Sequence, residues 1–197
     1  MGLRLIRVDF EDLLTERYNR KMRRSFLDAI EEHLGQNLSF DKWTVDDESV
    51  YIGSYTKYGI FWLCLWYLVH GDYEDQLEEN EDLEYEALEC FREELVPRSL
   101  DLPISNHFLE TSDADTVFLP LYFDDYFEYD GWDYASLHAA MEVLECFAKH
   151  LEFNLMSEPD EERDGNDSWM PIVTAINVAR TLYQFFSEDT KACVAFI

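Results

Sequence analysis

The sequence predicts an α+β fold, a mostly helical single domain over residues 1–197 with a small β-sheet. Three observations lead there. Short β-type runs stand at both ends of the chain, in residues 3–10 and 193–197. Residues 60–69 are apolar on every side, the pattern of a helix at the centre of a core. Apolar residues recur at helical spacing on either side of that segment, and no repeat, low-complexity tract or linker divides the chain.

Taken in order, residues 3–10 read as a short strand. Residues 11–34 read as one or two helices, because Leu14, Tyr18, Met22, Phe26, Ile30 and Leu34 stand four apart and form one stripe, with Gly35 at the stop position. Residues 50–52 suit a strand. Ser54 or Thr56 then caps a helix that runs to His70 and stops at Gly71. Within it, Trp62 and Trp66 belong to the expected core.

Residues 72–82 form a polar, acidic linker or helix start, and a helix over 83–95 is ended by Pro97. Pro103 keeps the next stretch irregular. Residues 116–122 read as an edge strand, since Pro120 cannot donate to a ladder and is tolerated mainly at edges. A long helix over 133–153 should turn Leu137, Met141, Leu144, Cys146 and residues 148–151 inward. Residues 157–167 are a hydrophilic loop, and Pro171 suits the first turn of a helix through Phe186. The expected sheet combines the terminal strands with residues 116–122.

A formal charge of −28 would suggest disorder in a chain poor in aromatics, but 14 Phe, 12 Tyr and 5 Trp supply ample core. The charge therefore belongs on the surface of a folded body. It is unevenly placed: residues 1–42 hold eight basic and eight acidic residues, leaving 7 basic and 35 acidic beyond Lys42. The one basic cluster is Arg17, Arg20, Lys21, Arg23 and Arg24. Its ordinary reading is a solvated helix face paired with nearby acids, and its sharper one a head-to-tail contact between subunits.

Arg4 and Arg7 interrupt the first eight residues, so no secretion signal is expected. The longest apolar run, residues 59–69, is about half the roughly 20 residues that a membrane span needs. The reading is a cytoplasmic chain without membrane contact. Cys64, Cys90, Cys146 and Cys193 are widely separated and read as buried free thiols, with a disulfide as the alternative that an even number leaves open.

Tests for chemistry assign no catalytic, cofactor or metal residue. His33, His70, His107, His138 and His150 fall in no ligand spacing. Glu142, Cys146 and His150 stand one helical turn apart, which offers three ligands and no fourth. Asp160, Glu162, Asp164 and Gly165 open like a calcium loop, but Pro171 occupies the position of its closing glutamate. With 7 glycines there is no phosphate-cradling loop, and no GxSxG elbow is present. Among 43 acids, a pair such as Asp124 and Asp125 says nothing specific about acid–base catalysis.

Two acidic stretches remain as candidate binding surfaces. Over residues 72–94, twelve of 23 residues are acidic with Arg92 alone opposing them, and Asp72, Glu74, Asp75 and Glu78 lead the run. Over residues 124–133, acids alternate with aromatics: Asp124, Asp125, Tyr126, Glu128, Tyr129, Asp130, Trp132 and Asp133. Tyr and Trp are enriched at binding hot spots, and carboxylates among them suit a partner rich in Lys and Arg. The plainer alternative is a surface segment whose aromatics enter the core while its acids face water.

The expected function is an acidic binding or inhibitor protein that occupies a basic surface of a partner protein, such as a nuclease or nucleic-acid-binding protein. Immunity proteins against nuclease toxins and DNA-mimic inhibitors substitute carboxylates for phosphates in this way. Direct nucleic-acid binding is disfavoured by the same charge. The alternatives are an enzyme with a site assembled from scattered residues and a housekeeping domain whose acidity serves solubility.

Overall fold

The computed structural model describes residues 2–17, 20–35, 43, 48–72, 82–102, 108, 116–158 and 170–196. The fold is α+β, with six helices and one mixed six-stranded sheet among these residues. The elements are β1 (Gly2–Val8), α1 (Phe10–Arg17), α2 (Arg20–Leu34), β2 (Ser49–Ser54), α3 (Tyr55–His70), α4 (Asp82–Glu94), β3 (Thr116–Leu119), β4 (Phe127–Tyr129), β5 (Trp132–Ser136), α5 (Leu137–His150), α6 (Pro171–Glu188) and β6 (Cys193–Phe196).

The strands run in the order β2-β1-β6-β3-β5-β4, and the β3–β5 pair is parallel while the others are antiparallel. Both faces of the sheet are covered. Successive strand residues point to opposite faces, so Phe118, Ala135, Val194 and Phe196 join Leu3 and Leu5 in the larger core with α3, α4, α5 and α6. Val117, Leu119, Tyr134, Cys193 and Ala195 face the other way, into a smaller core with Phe10, Leu13 and Leu14 of α1 and Phe26 and Ile30 of α2.

α3 is the centre of the larger core, packing on α6, α4, β1 and β2. Its start follows from Ser54, whose hydroxyl accepts the Lys57 N–H, and its end from Gly71 at φ +96°, whose N–H returns to the Tyr67 carbonyl. Ile60, Phe61, Leu63, Cys64, Leu65 and Leu68 are buried, while Trp62 and Trp66 stack at 5.2 Å and are half-buried at the core's margin. Pro171 takes the first turn of α6, where its missing N–H costs nothing.

Three expectations need correction. β3 is interior, flanked by β6 and β5, and all four of its residues are buried; it ends at Leu119, so Pro120 falls just beyond the ladder and does not force an edge. The long helix begins at Leu137, not residue 133, because Trp132–Ser136 pairs in parallel with β3. Ser136 makes that junction: its buried hydroxyl accepts the Ala139 N–H at 3.0 Å and donates to the Leu121 carbonyl at 2.7 Å. The inward face of α5 also carries Ala140, Val143 and Phe147, while Met141 and Cys146 are half-buried and Lys149 is exposed. The sheet is accordingly twice the expected size, since β2, β4 and β5 join it.

In the helical stripe expected over residues 11–34, Leu14, Phe26 and Ile30 are buried and Met22 and Leu34 half-buried, while Tyr18 lies outside the described residues. The expected loop over 157–167 lies mostly outside them as well.

Candidate functional site

The aromatic and acidic run divides by strand geometry. β4 and β5 form a hairpin in which Phe127 faces Tyr134, Glu128 faces Asp133, and Tyr129 faces Trp132. Paired residues share a face, so Phe127, Tyr129, Trp132 and Tyr134 all turn toward α2 and the smaller core. Phe127 stacks on Tyr134 at 5.2 Å, and Phe26 of α2 meets Tyr134 at 4.7 Å and Tyr129 at 5.1 Å. Tyr129 and Trp132 are half-buried packing groups. Glu128 and Asp133 lie on the opposite face as a like-charge cross-strand pair.

The turn is made by Asp130 at φ +54° and Gly131 at φ +78°, two successive positive φ values that match the twist of a two-residue hairpin. The preceding segment is anchored from α2: His33 packs its ring on Phe127 at 4.9 Å, and its Nε2 lies 3.2 Å from the Asp125 carbonyl oxygen. Asp124, Asp125, Glu128 and Asp130 are exposed on this support, while Tyr126 and Asp133 are half-buried.

Tyr122, which hydrogen-bonds Asp124, was not singled out by the sequence. Its side chain is 50% exposed. Partial desolvation, the Glu142 and Asp124 carboxylates, and a hydrogen bond to Asp124 hold its phenol above the ordinary value. An exposed aromatic thus lies near an acid of the β3–β4 connection and an acid of α5. No local signal points to it, because Glu142 is twenty residues away in the chain.

The second acidic stretch begins at Asp72. Asp72 is exposed and engaged with Arg92, whose Nε lies 2.7 Å and Nη2 2.6 Å from its carboxylate. Glu74, Asp75 and Glu78 lie outside the described residues.

The remaining candidates do not converge on a reaction centre. Cys146 is half-buried, Glu142 is exposed, and His150 directs Nε2 to the Ser99 hydroxyl at 3.0 Å. Among the described residues no group of three or more His, Cys, Asp or Glu is placed to hold a metal ion. The calcium-like run from Asp160 to Gly165 lies outside them.

All four cysteines are free, Cys64 and Cys193 buried, Cys90 and Cys146 half-buried. Burial pushes the Cys64 thiol far up. Burial and the nearby Glu94 carboxylate push Cys90 up to about 11, and burial with Glu142 raises Cys146. Thiols so raised are protonated and weakly nucleophilic at neutral pH.

A polar node that the sequence reading passed over is Arg7. It is 4% exposed on β1, pairs with Glu48 and Glu188, donates to the Phe185 carbonyl at 3.1 Å and lies 4.5 Å from the Phe185 ring. The alternation of Leu3, Leu5 and Arg7 was the available signal, since it places all three on one strand face.

No helix among the described residues is long and apolar enough to cross a membrane. Comparison with protein families, with characterised proteins and with solved structures gives no match for this chain.

Proposed function

We propose that this chain is an acidic binding protein that occupies a basic surface of a partner protein, in the manner of an immunity protein against a nuclease toxin or a DNA-mimic inhibitor. The observation that carries the reading is the exposure of Asp124, Asp125, Glu128 and Asp130 on a segment whose aromatic side is packed against α2, with the half-exposed Tyr122 next to Asp124. Carboxylates held on a packed support lose little freedom when a partner docks, so more of the electrostatic attraction appears as affinity. Tyr122 adds the amphipathic contact typical of a hot spot. The overall charge of −28 steers a basic partner toward this surface and repels nucleic acid. Four free thiols suit a reducing cytoplasm, where such a partner would be met.

The test replaces Asp124, Asp125, Glu128 and Asp130 together by Lys and measures capture of proteins from native lysate across a salt series. Wild type should retain a basic nucleic-acid-binding protein at low salt and release it to added duplex DNA, which competes for the same cleft. The variant should retain none. Its thermal unfolding midpoint should stay close to that of wild type, because all four side chains are exposed and reversal of Glu128 relieves its repulsion with Asp133. Equal capture by variant and wild type would reduce the segment to a solvated edge. No basic protein retained by wild type would turn the reading toward an enzyme with a dispersed site.

A further inference from the structure

Within the basic cluster, Arg20, Arg23 and Arg24 gather at one pocket. Arg20, Arg23 and Arg24 stand three and four residues apart on the first turns of α2, so they share one side of the helix. With Leu27 one turn further on, they face Glu11 and Leu14 of α1 across an open pocket of about 410 Å³. That volume falls in the range of small-molecule sites.

Although 43 carboxylates are available in the chain, none among the described residues forms an ion pair with these three arginines. Glu11 lines the same pocket and does not pair with them. Arg23 is held by one hydrogen bond, Nη1 to the Thr15 hydroxyl at 2.8 Å, and its buried Nε has no hydrogen-bond partner among the described residues. Three guanidinium groups gathered at one pocket repel one another, and an anion between them would relieve that repulsion and match their donors.

We infer that the pocket between α1 and α2 binds a phosphate monoester, with the phosphate on Arg20, Arg23 and Arg24 and an apolar substituent against Leu14 and Leu27. Planar guanidinium forks match phosphate oxygens in paired hydrogen bonds. Among the described lining residues, three cations against one carboxylate suit a dianion. The ligand is a compact soluble monoester, because a polyanion or an anionic membrane would meet the field of the whole −28 chain. This site does not depend on the acidic patch: the arginines occupy the first turns of α2, and the segment before β4 is held by His33 in its last turn.

The experiment titrates the full chain with inorganic phosphate and with phenyl phosphate at constant ionic strength, reading heat of binding and the thermal midpoint. Both probes should bind saturably with one site, phenyl phosphate more tightly. Arg20→Gln with Arg24→Gln should weaken each by about tenfold per arginine, the size expected for hydrogen bonds between charged groups. Both side chains are exposed, so the variant should fold, and Lys21→Gln, exposed on the same helix but outside the pocket, should bind as wild type does. Charge reversal of the hairpin acids should leave phosphate binding in place, which separates this site from the partner surface. Absence of saturable binding, or equal binding by the double variant, overturns the proposal. Conversion of a wild-type dimer to a monomer by the double variant would assign the arginines to carboxylates of a second copy instead. Capture on vesicles of phosphatidic acid that the double variant loses would overturn the soluble source.

Discussion

Arg7 is 4% exposed, whereas the side chains of Glu48 and Glu188 that meet it remain 60% and 61% exposed. The desolvation cost of the triad therefore sits on the cation, and the carboxylates keep most of their hydration. The two halves of the interaction should respond unequally to substitution. Arg7→Met preserves packing against Phe185 and leaves two carboxylates that water can serve, at a cost of about 1 kcal/mol. Glu48→Gln with Glu188→Gln leaves a buried guanidinium without either counter-charge, at a cost of about 3 kcal/mol. Urea unfolding of the two variants should rank them in that order. A greater loss for Arg7→Met would mean that the pairing, and not the burial of the cation, dominates.

The hairpin of β4 and β5 was the element most open to misreading. Its Asp130-Gly131 turn between alternating aromatics has the local chemistry of a two-residue hairpin, yet the acids drew attention to charge and the apolar spacing beyond residue 133 drew the helix forward. The turn depends on backbone conformation. At Gly131, φ is +78° and an added Cβ would meet nothing within 4 Å, so any penalty for a side chain is conformational, not steric. Gly131→Val should lower stability by about 1–2 kcal/mol, the cost of a left-handed backbone for a β-branched residue. Asp130→Gly, at φ +54°, should be nearly neutral because glycine accepts that region freely. Thermal unfolding measures both, and a harmless Gly131→Val would show that the hairpin tolerates another turn.

For the molecule as a whole, the excess of acids makes stability and association respond oppositely to salt. A chain with net charge −28 repels itself when compact, and that repulsion is long-ranged. Raising ionic strength from about 0.01 M to about 1 M shortens the screening length from about 30 Å to about 3 Å. The unfolding midpoint should therefore climb along this series while capture of a basic partner declines. The Arg7 triad is partly sheltered from solvent and should contribute little to either trend. A midpoint that falls with salt would indicate that attractive pairs, such as Asp72 with Arg92, outweigh the repulsion.

Local rules in the chain determined most elements by themselves. Ser54 and Gly71 bound α3 because capping depends on a single side chain or a single φ, and Pro171 opens α6 for the same kind of reason. The all-apolar run of residues 60–69 is central, with only its Trp62, Trp66 and Val69 side reaching the margin of the core. The uneven distribution of charge was likewise legible by counting.

Tertiary structure decided what depends on distant partners. The interior place of β3 follows from its pairing with β6, nearly eighty residues later, and the strand character of Trp132–Ser136 from parallel pairing with β3. The convergence of Tyr122, Asp124 and Glu142, and the union of Arg7 with Glu48 and Glu188, also join residues that sequence spacing cannot relate. Caps, stops and core helices answer to local geometry, whereas sheet order and surface sites are set by whichever distant segments bury the most apolar surface together.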